Sequence, residues 1–211
     1  MRKDRRRVPA FARDLFFMKK IPVRTITVIA IMTALSVIFQ FLEFSVPFAP
    51  GFLKFDFSDL PAFITGFAIS PIAGVIVELL KNLIHWPMGS TGGVGELANF
   101  LVGAALVLPA GLVYKYNKSR KFALVGSVTG TVTAAIVSFP INIFITYPFY
   151  ENFMPRDAII AAYHAIFPFI NDLPTALLVV NAPFTFIKGV ICAAVTFLIY
   201  KPLSPLIKGK K

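Results

Sequence analysis

Apolar residues in this chain come in long uninterrupted blocks, separated by short segments that are basic or rich in turn-forming residues. A block of about 20 apolar residues can cross a bilayer as an α-helix, because a helix satisfies its own backbone groups where no water is present. The first block runs from Val23 to Leu42 and ends at SVPFAPG. The mixed segment FLKFDFSDLPAF follows, in which Ser58 or Asp59 is placed to cap a helix entered through Pro61. Leu60 to Trp86 is apolar but broken at Ser70-Pro71, and Leu97 to Tyr114 leads into the basic connection KYNKSRK. Phe122 to Tyr147 comes next, and Leu173 to Tyr200 closes the series before KPLSPLIKGKK.

Charge orders these blocks. Nine Lys/Arg lie between Arg2 and Arg24, four between Lys115 and Lys121, and four between Lys201 and Lys211, which is 17 of the 21 basic residues. The positive-inside rule places all three clusters on the cytoplasmic side. One long helix over Leu60 to Trp86 would put KYNKSRK outside, so this stretch is expected to be a hairpin of two short helices turning at Ser70-Pro71. The expected fold is therefore all-α and membrane-integral, with six transmembrane helices and both termini cytoplasmic. Residues 23–202 form the membrane domain, 1–22 a basic arm and 203–211 a basic tail. The arm spaces Val8, Phe11, Ala12, Leu15 and Phe16 as an amphipathic helix does, so it is either an interfacial helix or a frayed orientation signal. A cleaved signal peptide is not expected, since no small-residue cleavage site follows the first apolar run.

Composition agrees and narrows the function. The chain of 211 residues is 57% hydrophobic and 15% charged, with a mean hydropathy of +0.76, against roughly 25% charged in soluble domains. Six spans use most of its length, leaving no room for a separate catalytic or nucleotide-binding domain. The net charge of +11 is spent on membrane orientation, so nucleic acid is not an expected partner. One cysteine, Cys192, and two distant histidines, His85 and His164, exclude a disulfide framework and make a metal enzyme improbable.

The topology leaves Ser45 to Phe57, Pro87 to Glu96 and Phe149 to Asp172 on the outside. The middle segment, PMGSTGGVGE, holds four glycines, which let backbone amides approach a ligand. No GK[ST] follows them, so this is no phosphate-binding P-loop.

The most informative residue is Lys188. It lies 13 residues before Lys201, about 20 Å from the inner boundary, and an ammonium at that depth must face a polar cavity or a partner. Its own span offers no carboxylate, so it either pairs with Glu78 or Glu96 of another helix or donates to a ligand; the second reading is preferred. Asn181, Thr185 and Lys188 share one helix face, and Gly189 is expected to leave room for a flat group. Asn142 and Asn99 are further amides in apolar spans that need partners. Glu78 and Lys81, at i and i+3, are expected to pair with each other outside the site. Ala30-Ile31-Met32-Thr33-Ala34 is a small-xxx-small pattern that permits close helix approach.

These pieces carry a resemblance. FLKFDFSDLPAFITGF, PIAGVIVELLKNLIH, GGVGELANFLVG, NIFITYPFY and APFTFIKG resemble the substrate-binding (S) subunits of energy-coupling factor (ECF) vitamin transporters, above all the riboflavin-specific family, over Arg24 to Tyr200. The resemblance implies six helices, an outward-facing riboflavin pocket and a first loop that folds over it. It places Lys188 and Asn142 at the isoalloxazine ring, Leu53, Phe55 and Asp56 against or over the ligand, and Gly93, Gly95 and Asn99 on its other side. Thr185 stands where the family often has Asn, and a hydroxyl offers a different hydrogen-bond pattern. Ala30 and Ala34 correspond to the motif that docks on the membrane coupling subunit, which joins two ATP-binding-cassette ATPases. Riboflavin is then cargo rather than cofactor, no catalytic cofactor is implied, and the location is a bacterial cell membrane.

Elementary chemistry is compatible with this. A cationic donor suits the ring acceptors, aromatic side chains stack on the ring, and glycine backbone groups suit ribityl hydroxyls. A thiamine-binding relative is the alternative within the class, though cationic thiamine prefers carboxylates and an aromatic cage. A small membrane enzyme is the alternative outside it, disfavoured because Glu43, Asp56, Asp59, Glu96 and Asp172 are scattered and His164 lies in a loop with no evident partner.

Overall fold

The computed structural model describes residues 22–89 and 91–208, with side chains through residue 199. The expected arm therefore lies, apart from Pro22, outside the described residues. Backbone helix continues to Lys208, across the start of the expected tail.

Helix α1 spans Val23–Phe41 and buries Met32, Thr33, Ser36 and Gln40, so a narrow, partly polar stripe faces inward. A two-residue hairpin follows, β1 (Phe44–Ser45) antiparallel to β2 (Lys54–Phe55), with Phe44 opposite Phe55. The Lys54–Glu43 ion pair closes it. Helices α2 (Asp59–Ala68) and α3 (Pro71–His85) form the hairpin expected from the Ser70-Pro71 break. The Ser70 hydroxyl accepts from the Ala73 amide at 3.1 Å, and Pro71 occupies the first helical turn, so one orphan donor of the helix start is capped and another is absent.

Helix α4 covers Val94–Tyr116 and α5 covers Arg120–Ile141. A Cβ on Gly126 would lie 2.5 Å from the Ala110 carbonyl oxygen, so only glycine lets these helices approach so closely. Beyond α5 the helix widens into a π-turn over Asn142–Thr146 and ends in the short helix Tyr147–Tyr150. The segment before the last span, read from sequence as an external loop, contains helix α6 (Arg156–His164). The last span enters through Leu173–Ala176, passes a second π-turn at Leu177–Asn181 and continues as α7 (Ala182–Lys208).

Among the described residues, four helical stretches are long and apolar enough to cross a membrane: Val23–Phe41, Val94–Tyr116, Arg120–Tyr150 and Leu173–Ile199. Their outer faces carry large exposed apolar residues such as Ile31, Leu112, Ile136 and Phe186, as lipid contact requires. Two buried clusters hold the bundle together. One gathers Phe63, Phe67, Val77, Leu106, Val107 and Cys192. The other joins Phe55, Tyr147, Tyr163, Ile170, Leu177 and Phe184.

Candidate functional site

A cavity of about 500 Å³ lies between the clusters and takes its lining from both, within the roughly 300–1,000 Å³ of small-molecule pockets. Its wall includes Leu53, Asp56, Gly95, Asn99, Asn142, Thr185 and Lys188 from the expected set. Phe55 and Gly93 are not on it. Phe55 is buried beneath the hairpin, edge-on to Phe184 and Phe57. Gly93 sits at the N-terminus of α4 with φ +93°, a left-handed conformation that glycine alone adopts freely. Its role there is to turn the chain into the helix.

Lys188 has carboxylate neighbours. Its Nζ lies 3.1 Å from Asp56 Oδ2 and 3.0 Å from Asp59 Oδ2. The partners expected for a structural pairing, Glu78 and Glu96, are elsewhere, and the expectation of a cation without carboxylates is corrected. The end of the first loop and the start of α2 bring the two aspartates to the Lys188 ammonium, which spacing along the last helix could not reveal. Asp56 Oδ1 also accepts the Ser58 amide at 2.7 Å, fixing the loop where α2 begins. The Ser58 hydroxyl makes no helix cap; it accepts from Lys81 Nζ at 2.8 Å.

Lys81 pairs with Glu78 at 2.8 Å, as expected, but also with Asp59. Asp59 thereby links Lys81 to Lys188, so the Glu78–Lys81 pair is continuous with the site although it does not line the cavity. The scattered acids thus gather in part. Among the described residues no group of three or more His, Cys, Asp or Glu side chains is arranged to hold a metal ion.

Across the cavity, α4 begins at Val94, so Glu96 belongs to its first turn rather than to the preceding loop. Glu96 accepts from His85 Nδ1 at 3.0 Å and from the Thr91 hydroxyl at 2.8 Å. Asn99 lies one turn deeper. The side chains of Asn99, Asn142 and Thr185 have no hydrogen-bond partner among the described residues, while all three face the cavity. Gly189 also lines it, but a Cβ there would meet Thr131 at 2.9 Å. Its missing side chain therefore serves packing against α5 rather than the room for a flat group that was expected.

Sequence reasoning missed a second polar network. Asn181 Nδ2 donates to the Tyr147 hydroxyl at 3.0 Å, and the Tyr163 hydroxyl donates to Asn181 Oδ1 at 2.6 Å. The Tyr147 hydroxyl, already an acceptor, donates to that of Tyr163, closing a ring in which each group is satisfied. The π-turns bring Tyr147 and Asn181 to it, and α6 delivers Tyr163. Phe52 of the first loop packs edge-on against both tyrosines, with ring centroids at 6.3 and 5.7 Å. His164 also has a partner, the Ile170 carbonyl at 3.0 Å. A weak hint of the ring was present in sequence: two tyrosines and an asparagine in apolar surroundings that must find partners.

The cavity is thus walled by aromatic rings (Phe41, Phe52, Tyr147, Tyr150, Phe184) and lined by free amides, with a lysine held between two aspartates. Such a wall can enclose a flat, partly polar molecule and present fixed donors to it.

Comparison with known proteins fits this geometry. The family model for the ECF transporter substrate-specific component matches residues 24–200. The riboflavin transporter RibU of Staphylococcus aureus (strain TCH60) is 32% identical over 180 residues, covering 85% of this chain and 90% of the relative. The riboflavin transporter FmnP of Bacillus subtilis (strain 168) is 31% identical over 194 residues, covering 90% and 96%. Among solved structures, the S component of a bacterial ECF transporter superposes with a TM-score of 0.70 at 30% identity, covering 88% of this chain and 98% of that one.

Proposed function

Because this chain belongs to the substrate-specific components of ECF transporters, we propose that it captures riboflavin at the outer face of a bacterial membrane for uptake driven by partner subunits. It is a multi-pass membrane binding protein, not an enzyme, and riboflavin is its transported ligand rather than a cofactor. The observation that carries the reading is the cavity: donors at Asn99 and Asn142 with no partner among the described residues, beside Lys188, inside an aromatic wall. An ammonium has three donors. Asp56 and Asp59 take two on Lys188, and the third is free for a ring acceptor.

In this reading Lys188 and Asn142 hold the isoalloxazine ring, with Thr185 beside them. Leu53 and Asp56 of the first loop contact the ligand, and Phe55 stiffens the hairpin that carries them. Gly95 and Asn99 face it from α4, and Gly93 sets the turn that presents them. The chain crosses the membrane six times with both ends cytoplasmic, α2 and α3 forming the short hairpin that this count requires. Residues 23–202 form the embedded domain. Ala30 and Ala34, both exposed on α1, meet a coupling membrane subunit that joins two ATP-binding-cassette ATPases.

A riboflavin titration of the purified, detergent-solubilised, ligand-free protein tests this, with quenching of flavin fluorescence as the signal and thiamine as the control. Saturable one-to-one quenching that thiamine does not displace is expected. Well-folded protein that leaves flavin fluorescence unchanged overturns the assignment.

A further inference from the structure

Away from the cavity, one stretch of surface carries charge that nothing near it in sequence balances. Lys115, Lys118, Arg120 and Lys121 fall at the turn between α4 and α5, and all four are exposed. No Asp or Glu occurs between Glu96 and Glu151. None of the four cations has an ion-pair partner among the described residues. The turn is short, residues 117–119, and the Ser119 hydroxyl accepts the Phe122 amide at 3.4 Å to start α5. The cations are therefore carried at the ends of two packed helices rather than on a long loop.

Two of them stand where a helix resists them. Arg120 and Lys121 occupy the first turn of α5, which holds no acidic residue, and the partial positive charge of a helix N-terminus repels cations. An anion bound at the turn offsets that cost, and the neighbouring apolar surface says of what kind. On α5, Leu124, Val125 and Val128 follow Lys121 at helical spacing on one face, and each is more than half exposed. On α4, Leu112 stands one turn before Tyr116 on the same face, and the two are 52% and 87% exposed. The Tyr116 ring packs against Phe122 with centroids 6.1 Å apart, and exposed tyrosine beside lipid-facing residues is typical of the headgroup layer. An apolar strip thus ends in an aromatic ring and a group of cations, which is the profile of a phospholipid from chain to phosphate.

We propose that the α4–α5 turn holds the phosphate of an anionic phospholipid among Lys118, Arg120 and Lys121, with its chains along Leu124, Val125 and Val128. Lys115, in the last turn of α4, adds charge from across the turn. Arginine takes phosphate oxygens bidentately and lysine acts as a point charge, so the set suits a phosphodiester. A zwitterionic lipid brings its own ammonium among the same cations and is disfavoured. None of these residues lines the cavity, and the inference does not depend on which vitamin occupies it. Orientation by the positive-inside rule requires only that the charges be present in the connection. A lipid seat requires them at the end of this strip.

Native mass spectrometry of the purified chain in nonionic detergent tests this, with dioleoyl phosphatidylglycerol and dioleoyl phosphatidylcholine added in equal amounts. Each basic residue near an anionic headgroup is worth roughly a fivefold gain in affinity. Wild type is expected to retain one phosphatidylglycerol in preference to phosphatidylcholine by about tenfold or more. The triple variant Lys118→Gln, Arg120→Gln, Lys121→Gln is expected to lose at least about tenfold of that preference. Equal retention of the two lipids by wild type, or an undiminished preference in the variant, overturns the proposal. So does displacement of the lipid by inorganic phosphate at matched ionic strength, which makes this a site for a soluble anion. Loss of co-purification with the coupling subunit in the variant, with its lipid preference intact, assigns the turn to a protein partner instead. If the triple variant does not insert in the membrane, Lys118→Gln alone decides: the preference must fall roughly fivefold, and an unchanged preference overturns the assignment.

Discussion

The ammonium of Lys188 lies 3.1 Å from the Asp56 carboxylate, a residue 132 positions earlier in the chain. This contact ties the first loop to the last helix, so in the proposed site one side chain would serve both the ligand and the loop. Replacing it separates those roles. In Lys188→Met, Asp59 keeps its pairing with Lys81, whereas Asp56 loses its cation. Riboflavin affinity is expected to fall roughly 10–100-fold, the worth of a charged hydrogen bond, while the protein still elutes from size exclusion as a folded species. Limited proteolysis should cut the loop near Asp56 faster than in wild type. Wild-type affinity in this variant would remove Lys188 from the site.

Lys81 presents the opposite case. It is fully buried, and so is its partner Glu78, yet it does not line the cavity. Removing one member of a buried ionic group leaves uncompensated charge, which costs about 3–5 kcal/mol. Lys81→Met is expected to lower the apparent melting temperature in detergent sharply, with Glu78→Gln added to Lys81→Met recovering part of the loss. Thermal melts followed by tryptophan or dye fluorescence check both. A single variant as stable as wild type would show that the cluster contributes little to folding.

These two lysines show where the sequence was legible. Depth along a helix can be counted, so the spans, the Ser70-Pro71 break and the need for a partner at Lys188 could all be read from spacing. The identity of that partner could not, because it depends on how deeply the 45–57 loop enters the bundle, and loop trajectories have no periodicity. The same limit explains Glu96: its assignment to loop or helix turned on three residues at a helix start, where sequence boundaries are least certain. It also explains Gly189, whose neighbour Thr131 belongs to a helix far away in sequence. Phe55 and Gly93 belong to motifs that reach the cavity without lining it themselves, since alternate positions in a hairpin or turn face opposite ways.

The ring of Tyr147, Tyr163 and Asn181 yields a third prediction. Tyr163→Phe deletes one hydroxyl and leaves Asn181 Oδ1 without its donor and the Tyr147 proton without an acceptor. Such buried orphaned groups cost about 1–3 kcal/mol. Phe52 rests edge-on against both rings, so the cover over the cavity should loosen as well. Stopped-flow measurement should show a faster riboflavin off-rate with a nearly unchanged on-rate. An off-rate equal to wild type would confine the ring to stability alone.

The last prediction concerns the surface of α1. Its inward stripe is Met32, Thr33, Ser36 and Gln40, and Ala30 and Ala34 fall on the exposed side of the same helix. Residues four apart lie one above the other, so the two alanines form a shallow strip beside Ile31 and Ile38, both about half exposed. A strip of small side chains lets a second helix come close enough for backbone-to-backbone packing, the main source of helix association within lipid. Trp at both positions fills the strip while touching nothing in this chain's own core. The doubly substituted protein is therefore expected to fold and to bind riboflavin with wild-type affinity in detergent. In cells that supply the coupling subunit and ATPases, it should nevertheless fail to accumulate the vitamin, and it should not co-purify with the coupling subunit. Normal uptake by a variant that is present at wild-type levels in the membrane would place the docking surface elsewhere on the bundle.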